Sequence, residues 1–385
     1  MTGKAGVPLR ICLLSALHPP FDKRVFDKEA RTLAATGFEV IHLAPGDGSD
    51  KTLDGVRVVT FPGPKSLWQR LGQLRRLYRL ASAIDADVYH CNEVDSWGVG
   101  VALRLFRGAT CVFDVHEHYP EDFAEMRFPS VFRPLVRGVV RMAMRLLAAG
   151  TDRVVLAKRS LADGFRYFPA SRVCLVQNFV PLAELPPLAE RCLPAAGAPL
   201  RLIHLGLVNR VRGWSQMLEG LARACHQDVE LLVLGEIGGG EEPAFLAAVD
   251  RLGLAGRVRH RAWLPFAEAM REVVAADAGV ILFQPGYFNH VHALPHKLFD
   301  YMGGGLPVIA PAFAIEVAHI VEAAGCGLLV DAADPQSFAD AIDRLAGNPA
   351  ERCAMGLRGR KAVEDSYNWE AEGRRLVAMY AGLER

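Results

Sequence analysis

A lysine, an aspartate and three consecutive glycines stand directly before an apolar run in ALPHKLFDYMGGGLPVIA, residues 293–310. Lys297 to Met302 predicts a short amphipathic helix that ends at the glycines, and Leu306 to Ala310 predicts a strand covered on both faces. Two interpretations are open. Either the glycines only end the helix and the charged side chains are solvated, or the helix start presents Lys297 to an anion while Asp300, about one turn further on, binds sugar hydroxyls.

A second set of titratable residues follows an apolar strand in the first half of the chain, in FDVHEHYPE. The predicted strand Thr110 to Val115 ends directly before His116 and Glu117. Ligands of doubly wound sheets bind at the carboxyl ends of the strands, so these two side chains are predicted to lie at a ligand-binding edge. His118 is the competing candidate, although the strand register favours His116, and a histidine that bonds only within its own loop is the structural alternative.

The elements that position these residues are strand-like runs that alternate with helical patterns from end to end, which predicts parallel sheets covered by helices. The alternation stops in PLAELPPLAERCLPAAGAP, a proline-rich segment typical of an interdomain linker. We therefore predict an α/β protein with two doubly wound, Rossmann-like domains facing a central cleft. The predicted boundaries are an amino-terminal domain at 1–180, a linker at 181–199, a carboxyl-terminal domain at 200–362 and final helices at 363–385, which could pack back on the amino-terminal domain.

Composition narrows the functional classes. The chain has 385 residues, of which 51% are hydrophobic, and its formal net charge is +1, as is usual for a soluble protein. No apolar run reaches the roughly 20 residues of a membrane span, no signal peptide is visible, and the cysteines lack a C-x-x-C pair, so we expect a reduced, cytoplasmic protein. We expect no nucleic-acid partner. The first loop, HPPFDKRVFDKEA, lacks G-x-G-x-x-G, which disfavours a nicotinamide dehydrogenase, and no His, Cys and carboxylate set has metal-ligand spacing.

Two basic stretches without acidic residues lie in the first half of the chain, at 55–84 and 126–151. Every fourth residue of a predicted helix in the second stretch is an arginine: Arg133, Arg137, Arg141 and Arg145. On a helix these side chains form one slowly drifting stripe. The stripe is either a solvated helix face or a contact for an anionic membrane or acceptor, with Trp68, Leu146 and Leu147 as candidate apolar anchors.

The order of these motifs resembles glycosyltransferase family 4, whose members are retaining, nucleotide-sugar-dependent enzymes of the two-domain GT-B fold. The carboxyl half carries the more specific motifs, GLVNRVRG, LVLGEIGGG, RAWLPFAEAM and the segment at 293–310, and the amino half adds HPPFDKRVFDKEARTLAATGFEV, DVYHCNEVDSW and FDVHEHYPE. The resemblance implies a transferase that needs no metal or other cofactor and takes a sugar from a nucleoside-diphosphate donor.

The resemblance also implies which residues bind the donor diphosphate. Arg212, directly before Gly213, and Lys297 match the two cationic phosphate contacts of the family, and a guanidinium suits phosphate oxygens because its planar fork donates two parallel hydrogen bonds. The family usually has an arginine at the position that Leu207 occupies here, and Arg210, three residues further on, is a candidate to replace that arginine.

The other donor-side positions differ more from the family in residue type. Its two glutamates, separated by seven residues, are replaced by His292 and Asp300. Aspartate keeps the two acceptor oxygens that a ribose diol needs, whereas the histidine is either a changed sugar contact or an ordinary loop histidine. The glycines at 303–305 are expected to let backbone amides approach the ligand, and Gly235 and Glu316 are further donor-side candidates.

On the acceptor side, His116 matches a family histidine near the reacting centre, with Glu117 beside it. Asp22 and Arg24 belong to the loop that replaces a glycine-rich loop of many relatives, and together with His118 they are expected to line the acceptor side.

The expected function is therefore that of a cytoplasmic hexosyltransferase, either free or peripheral on the inner face of the membrane, that retains the anomeric configuration. Its acceptor would be a glycan or a lipid-linked intermediate of cell-surface polysaccharide assembly. Two alternatives remain: a nucleotide-sugar epimerase of the same architecture, and a GT-B scaffold that has lost activity. Donor turnover with and without an acceptor separates the three.

Overall fold

The computed structural model of the protein describes residues 8–63, 67–188 and 198–383. The side chain of Trp68 and the centre of the proline-rich segment lie outside the described part, so the predictions for them stay predictions. The chain forms two compact units. The first comprises Met1–Asn178 and Trp369–Arg385, and the second comprises Phe179–Asn368.

The first unit is built on an eight-stranded sheet. Its strands are β1 Arg10–Leu14, β2 Glu39–Pro45, β3 Asp50–Leu53, β4 Val56–Phe61, β5 Val88–Cys91, β6 Thr110–Val115, β7 Arg153–Leu156 and β8 Val173–Leu175. They lie in the order β3-β4-β2-β1-β5-β6-β7-β8, and all neighbours are parallel except the antiparallel pair β3 and β4. The strand order reverses between β1 and β5, so the ends of these strands form the switch point at which such sheets bind ligands.

Helices cover both faces of this sheet. A π-helical segment, Val25–Ala30, continues into α1 Arg31–Ala35, and the other helices are α2 Leu67–Ile84, α3 Val94–Arg107, α4 Tyr119–Arg127, α5 Arg133–Ala149 and α14 Trp369–Ala381. The central strands are buried on both faces, as in β1, where Ile11 to Leu14 are all buried. Tyr380 of α14 is buried against this unit and packs near Phe38.

The second unit has a six-stranded, fully parallel sheet. Its strands are β9 Leu200–Leu205, β10 Val229–Leu234, β11 Val258–Arg261, β12 Ala278–Val280, β13 Val308–Pro311 and β14 Gly327–Val330. The order is β11-β10-β9-β12-β13-β14, which places the switch point between β9 and β12. Its helices are α6 Trp214–Arg223, α7 Glu242–Arg251, α8 Phe266–Ala275, α9 Phe288–Val291, α10 His296–Gly303, α11 Ile315–Ala324, α12 Pro335–Gly347 and α13 Pro349–Asp365.

The glycines at 303–305, at the end of α10, are closely packed within the second unit, and the expectation that their backbone amides approach a ligand stays a prediction. A Cβ on Gly303 would lie 2.5 Å from the side chain of Leu185, and one on Gly304 would lie 2.6 Å from Val273. Helix α13 approaches so closely that a Cβ on its Gly356 would lie 2.0 Å from the carbonyl oxygen of Gly305. The protein itself therefore fills the space beside these glycines.

Candidate active site

Arg212 lies in a tight turn that follows the switch-point strand β9. The side-chain oxygen of Asn209 accepts the backbone N–H of Arg212 at 3.0 Å and fixes the turn. Gly213 has φ +87°, and a Cβ there would lie 2.1 Å from the carbonyl oxygen of Leu282. Only glycine fits this position, and α6 begins directly after it.

Lys297 is buried in the first turn of α10. Its Nζ donates to Nε2 of the fully buried His204 on β9, at 3.2 Å. Burial and the nearby lysine lower the pKa of His204 well below its usual value, so its imidazole is neutral and accepts the bond. Burial and the charge of Arg212 lower the pKa of Lys297 to about 7, while Asp300 acts in the opposite direction.

Aromatic side chains line the other side of Arg212. Its guanidinium carbon lies 5.8 Å from the ring centroid of Phe283, on which the ring of His290 stacks at 5.1 Å. Burial lowers the pKa of Arg212, and burial together with the charge of Arg212 lowers the pKa of His290. Within the described ranges, neither Arg212 nor Lys297 forms an ion pair with a carboxylate of the protein. The two cations therefore create a positive site that an anion would neutralise.

The other predicted donor-side residues lie in different surroundings. The guanidinium of Arg210 lies over the ring of Trp214 at 5.0 Å, and its backbone N–H donates to Glu241. His292 ends α9, and its ring lies 4.6 Å from that of Phe288. Asp300 lies one turn after Lys297 on α10, so the two share a helix face.

Two further donor-side candidates are held by the backbone. Gly235 has φ +141° after β10, and a Cβ there would lie 2.5 Å from the carbonyl oxygen of Gly206. A Cβ on Gly206 would lie 3.9 Å from Nζ of Lys297. The loops that contain Gly206 and Gly235 therefore pack against each other directly beside the lysine. Glu316 is buried in the first turn of α11.

His116 of the first unit is bonded to a buried carboxylate that the sequence did not indicate. Its Nε2 lies 2.6 Å from Oδ2 of Asp114 on β6. Nε and Nη2 of Arg24 donate to the two oxygens of that carboxylate at 2.9 and 2.8 Å. Arg24 was expected to line the acceptor side, and that expectation was wrong: the residue is only 4% exposed, because its charge compensates Asp114 in the core.

Glu29 and His90 complete this buried network. Nη2 of Arg24 lies 3.1 Å from Glu29, and Nε2 of His90 lies 3.6 Å from Glu29 and 3.7 Å from Asp114. Burial and the charge of Asp114 raise the pKa of Glu29 well above its usual value. Glu29, His90 and Asp114 thus form a set of three metal-ligand side chains that sequence spacing did not reveal. Arg24 already binds both carboxylates of the set, so a guanidinium supplies the positive charge that a metal ion would supply.

A second buried carboxylate, Glu93, holds the loop after β1. Its oxygens accept the backbone N–H groups of Ala16 and His18, both at 2.9 Å, and Nδ1 of His18 at 2.5 Å. Burial raises the pKa of Glu93, but the bonds from His18 and from the backbone outweigh it and lower the pKa to about 2. The rings of His18 and His116 are edge to face, 5.3 Å apart. Sequence reasoning missed His18, although it belongs to the quoted first loop.

The remaining acceptor-side candidates have local partners. Glu117 accepts from Lys158 at 3.1 Å, and His118 lies 3.3 Å from the hydroxyl of Ser160. Asp22 accepts the backbone N–H groups at the start of the π-helical segment, so its carboxylate acts as a helix cap.

Two of the four arginines in the stripe on α5 are neutralised by acidic residues of α4, which lie before the acid-free stretch at 126–151. Arg137 donates to Glu125 at 3.1 Å, and Arg141 pairs with Glu121. The outer face of the helix is instead apolar, because four side chains at helical spacing are between 57% and 70% exposed: Leu135, Val139, Met142 and Leu146. Among the described residues, no helix combines the length and apolar character that a transmembrane span requires.

Two family models match the chain, Glycosyltransferase Family 4 over residues 23–184 and Glycosyl transferases group 1 over residues 199–348. The chain is also 31% identical, over 204 residues, to the lipopolysaccharide core biosynthesis glycosyltransferase LpsD of Rhizobium meliloti (strain 1021), a match that covers 50% of this chain and 55% of that protein. The chain belongs to the family 4-like glycosyltransferases of the GT-B fold. The resemblance and the fold class predicted from sequence are thereby confirmed.

This family 4-like protein has further relatives. It is 28% identical, over 218 residues, to a D-inositol 3-phosphate glycosyltransferase of Corynebacterium urealyticum, which covers 54% of this chain and 49% of that protein. The chain spans about half the length of the curated relatives it matches. A sucrose-phosphate synthase structure from Thermosynechococcus elongatus matches with TM-score 0.75 at 20% identity, covering 98% of this chain and 99% of that one. Anabaena Alr3699/HepE in complex with UDP matches with TM-score 0.75 at 15% identity, covering 97% and 100%, and both structures share the GT-B fold.

Proposed function

We propose that this protein is a retaining hexosyltransferase that uses a nucleoside-diphosphate sugar as donor and needs no metal ion or other cofactor. The observation that carries the proposal is the pair of cations, Arg212 and Lys297, that lie near each other and form no ion pair with a carboxylate of the described residues. A diphosphate brings the missing negative charge, and the first amides of α6, after Gly213, add partial positive charge. The same groups stabilise the diphosphate as it leaves, because its charge grows when the glycosidic bond breaks.

The rest of the mechanism follows the family resemblance. The acceptor hydroxyl attacks the face from which the diphosphate departs, and the leaving phosphate oxygen receives the acceptor proton. His116 lies at the reacting centre with Glu117 beside it, and no residue is assigned as a covalent nucleophile. Donor-sugar contacts at His292, ribose contacts at Asp300, and donor-side roles for Arg210 and Glu316 are part of this proposal.

The proposed acceptor is a lipid-linked or glycan intermediate of cell-surface polysaccharide assembly, which the relationship to a lipopolysaccharide core glycosyltransferase supports. We place the enzyme in the cytoplasm, bound peripherally to an anionic membrane, and assign it no nucleic-acid partner. The apolar face of α5 supports the membrane contact. Burying one Leu or Val side chain contributes about 1.5 to 3 kcal/mol, whereas a surface arginine near anionic lipid contributes about 1 kcal/mol, and less when it already has a carboxylate partner.

The membrane contact can be tested by co-sedimentation with vesicles of phosphatidylglycerol and phosphatidylcholine. Replacing Leu135, Val139 and Leu146 together with glutamine should release the protein, and replacing Arg137 and Arg141 with glutamine should weaken binding less. The control is Leu246→Gln, which changes an exposed leucine of the other unit. If the wild-type protein stays in the supernatant at low salt with fully anionic vesicles, the acceptor is soluble.

The transferase activity can be tested with a panel of nucleoside-diphosphate sugars, ranked first by thermal stabilisation, since a ligand of the native state raises the melting temperature. Donor turnover is then followed with and without membrane lipid extract as acceptor. Turnover that depends on the acceptor supports the transferase. Isomerised donor without acceptor identifies an epimerase, and binding without turnover identifies an inactive scaffold.

A further inference from the structure

Two histidines of the first unit lie side by side at the carboxyl end of its sheet, and each is held by a buried carboxylate. His18 follows β1 and is bonded through Nδ1 to Glu93, while His116 follows β6 and is bonded through Nε2 to Asp114. The side chains of His18 and His116 are 28% and 15% exposed, whereas those of Glu93 and Asp114 are 9% and 0% exposed. Each ring is therefore fixed from the inside and open at its other nitrogen.

The carboxylates determine which nitrogen of each ring carries a proton. Asp114 receives two hydrogen bonds from Arg24, and this charge holds its pKa well below the usual range despite burial, so it can only accept. Nε2 of His116 must therefore be the donor. Glu93 is likewise ionised, because His18 and backbone N–H groups donate to it, so Nδ1 of His18 is the donor.

In their neutral forms the two rings consequently have opposite tautomers. The bond to Glu93 and its charge outweigh burial and raise the pKa of His18, so the tautomer of this ring is defined above that pKa. His18 presents Nε2 and His116 presents Nδ1, and neither of these nitrogens has a hydrogen-bond partner in the part of the chain that the structure describes. The ring centroids are 5.3 Å apart, a separation at which the two nitrogens could receive hydroxyls of one sugar ring. A hydroxyl can donate to a neutral imidazole nitrogen and accept from the same nitrogen when it is protonated.

We propose that His18 and His116 together bind hydroxyl groups of a sugar substrate, and that Glu93 and Asp114 are positioning residues that impose opposite tautomers on the two rings. This inference rests on the proposed function, and it adds one substrate contact, His18, and two positioning residues to it. The sugar is either that of the donor or that of the acceptor, and kinetics distinguish them.

The tautomers can be measured without any activity. In protein labelled with 15N-histidine, long-range proton–nitrogen correlations should show Nδ1–H for His18 and Nε2–H for His116, with signals assigned from the His18→Gln and His116→Gln variants. Asp114→Asn should shift the His116 signals and leave those of His18 in place, and Glu93→Gln should do the reverse. A wild-type His116 that carries its proton on Nδ1 would overturn the proposal even if the variants fail to fold.

Kinetics then test whether the rings contact the sugar. Asp114→Asn should lower kcat roughly 100-fold or more, with an upper scale of about 10⁴-fold, the loss that follows when a proton-transferring catalytic histidine is left in the wrong tautomer. The Kd for UDP or GDP should not change, because the proposed diphosphate contacts lie in the second unit. His18→Gln should raise KM for the acceptor if the bound sugar is the acceptor's, and KM for the donor if it is the donor's.

The matched control is Thr151→Val, which removes the buried hydrogen bond from Trp97 at 2.8 Å in the same unit and changes no group that bonds to either ring. It should lower the melting temperature without shifting either histidine signal or kcat. If His18→Gln leaves both KM values and kcat unchanged while the tautomers are as stated, His18 is structural and the proposal is wrong. Absence of turnover in the wild-type protein would instead count against the proposed function.

Discussion

Lys297 should change its protonation when a donor binds, because its pKa in the free protein is about 7. At that pKa the side chain is about half protonated at pH 7 and about one-tenth protonated at pH 8. A diphosphate beside it favours the ammonium form, so binding should take up about 0.5 proton at pH 7, about 0.9 at pH 8 and only about 0.1 at pH 6. Since the neutral lysine becomes more common with rising pH, affinity should fall: Kd should rise about 50-fold, or about 2.3 kcal/mol, between pH 7 and pH 9.

The assay is calorimetric titration with the nucleoside-diphosphate sugar that gives the largest thermal stabilisation. This ligand has no group that titrates near neutral pH, so the exchanged proton belongs to the protein. At pH 8 the binding enthalpy should differ between HEPES and Tris, which have different ionisation enthalpies. The Lys297→Arg variant keeps its charge at this pH and should lose the difference. Lys361→Arg is the control, since Lys361 is exposed and paired with Asp365.

Equal enthalpies in the two buffers at pH 8 would refute this reasoning. The ligand-free protein offers an independent test of the same pKa. Between pH 7 and pH 10.5 the unfolded chain keeps a proton on Lys297 that the folded chain has released, so this residue makes the free energy of unfolding increase with pH in that window.

Three further substitutions test the site. Arg212→Ala should weaken nucleoside diphosphate binding by about 1.5 to 3 kcal/mol, whereas Arg223→Ala on the helix that follows should not, and equal calorimetric affinities would remove the assignment. His116→Ala should lower turnover severely and leave nucleotide affinity nearly intact; losses of the same size in both would indicate a folding defect. Gly213→Ala should abolish donor binding, because its Cβ would meet a carbonyl oxygen at 2.1 Å, whereas Gly98→Ala, which meets nothing within 4 Å, should be tolerated; unchanged binding by the first variant would show that the turn can relax.

Much of the fold follows from local sequence, because parallel strands buried on both faces need continuous apolar runs. The predicted strand Thr110 to Val115 coincides with β6, and the predicted strand Leu306 to Ala310 overlaps β13. The edge strand β3 was missed because its four residues are all exposed and carry no apolar pattern. A signal was nevertheless present: Asp54 and Gly55 both have positive φ and form the Asp-Gly turn that joins two antiparallel strands.

The site was less predictable, since its contacts join distant parts of the chain. Arg212 and Lys297 were identified through a family pattern, but the neutral His204 that holds Lys297 is 93 residues away from it. Glu93 is 75 residues from His18, and no spacing rule connects them. The acidic partners of Arg137 and Arg141 were missed for a similar reason, because they lie on the preceding helix, outside the acid-free stretch.

One local signal could have found most of these partners. His90, Asp114 and His204 lie in the strands β5, β6 and β9, and each is a buried polar residue among apolar or weakly polar buried neighbours. A polar side chain in such a strand cannot reach water, and leaving it without a hydrogen bond costs about 1 to 3 kcal/mol, so the fold must supply a partner. Each of the three is in fact bonded: His90 to Tyr380, Asp114 to Arg24 and His204 to Lys297. Two of these buried residues also bond to residues of the candidate site, since His204 bonds to Lys297 and Asp114 bonds to His116. A polar residue within a strand covered on both faces is therefore a sequence signal for a buried hydrogen-bond network. The identity of its partner comes only from the fold.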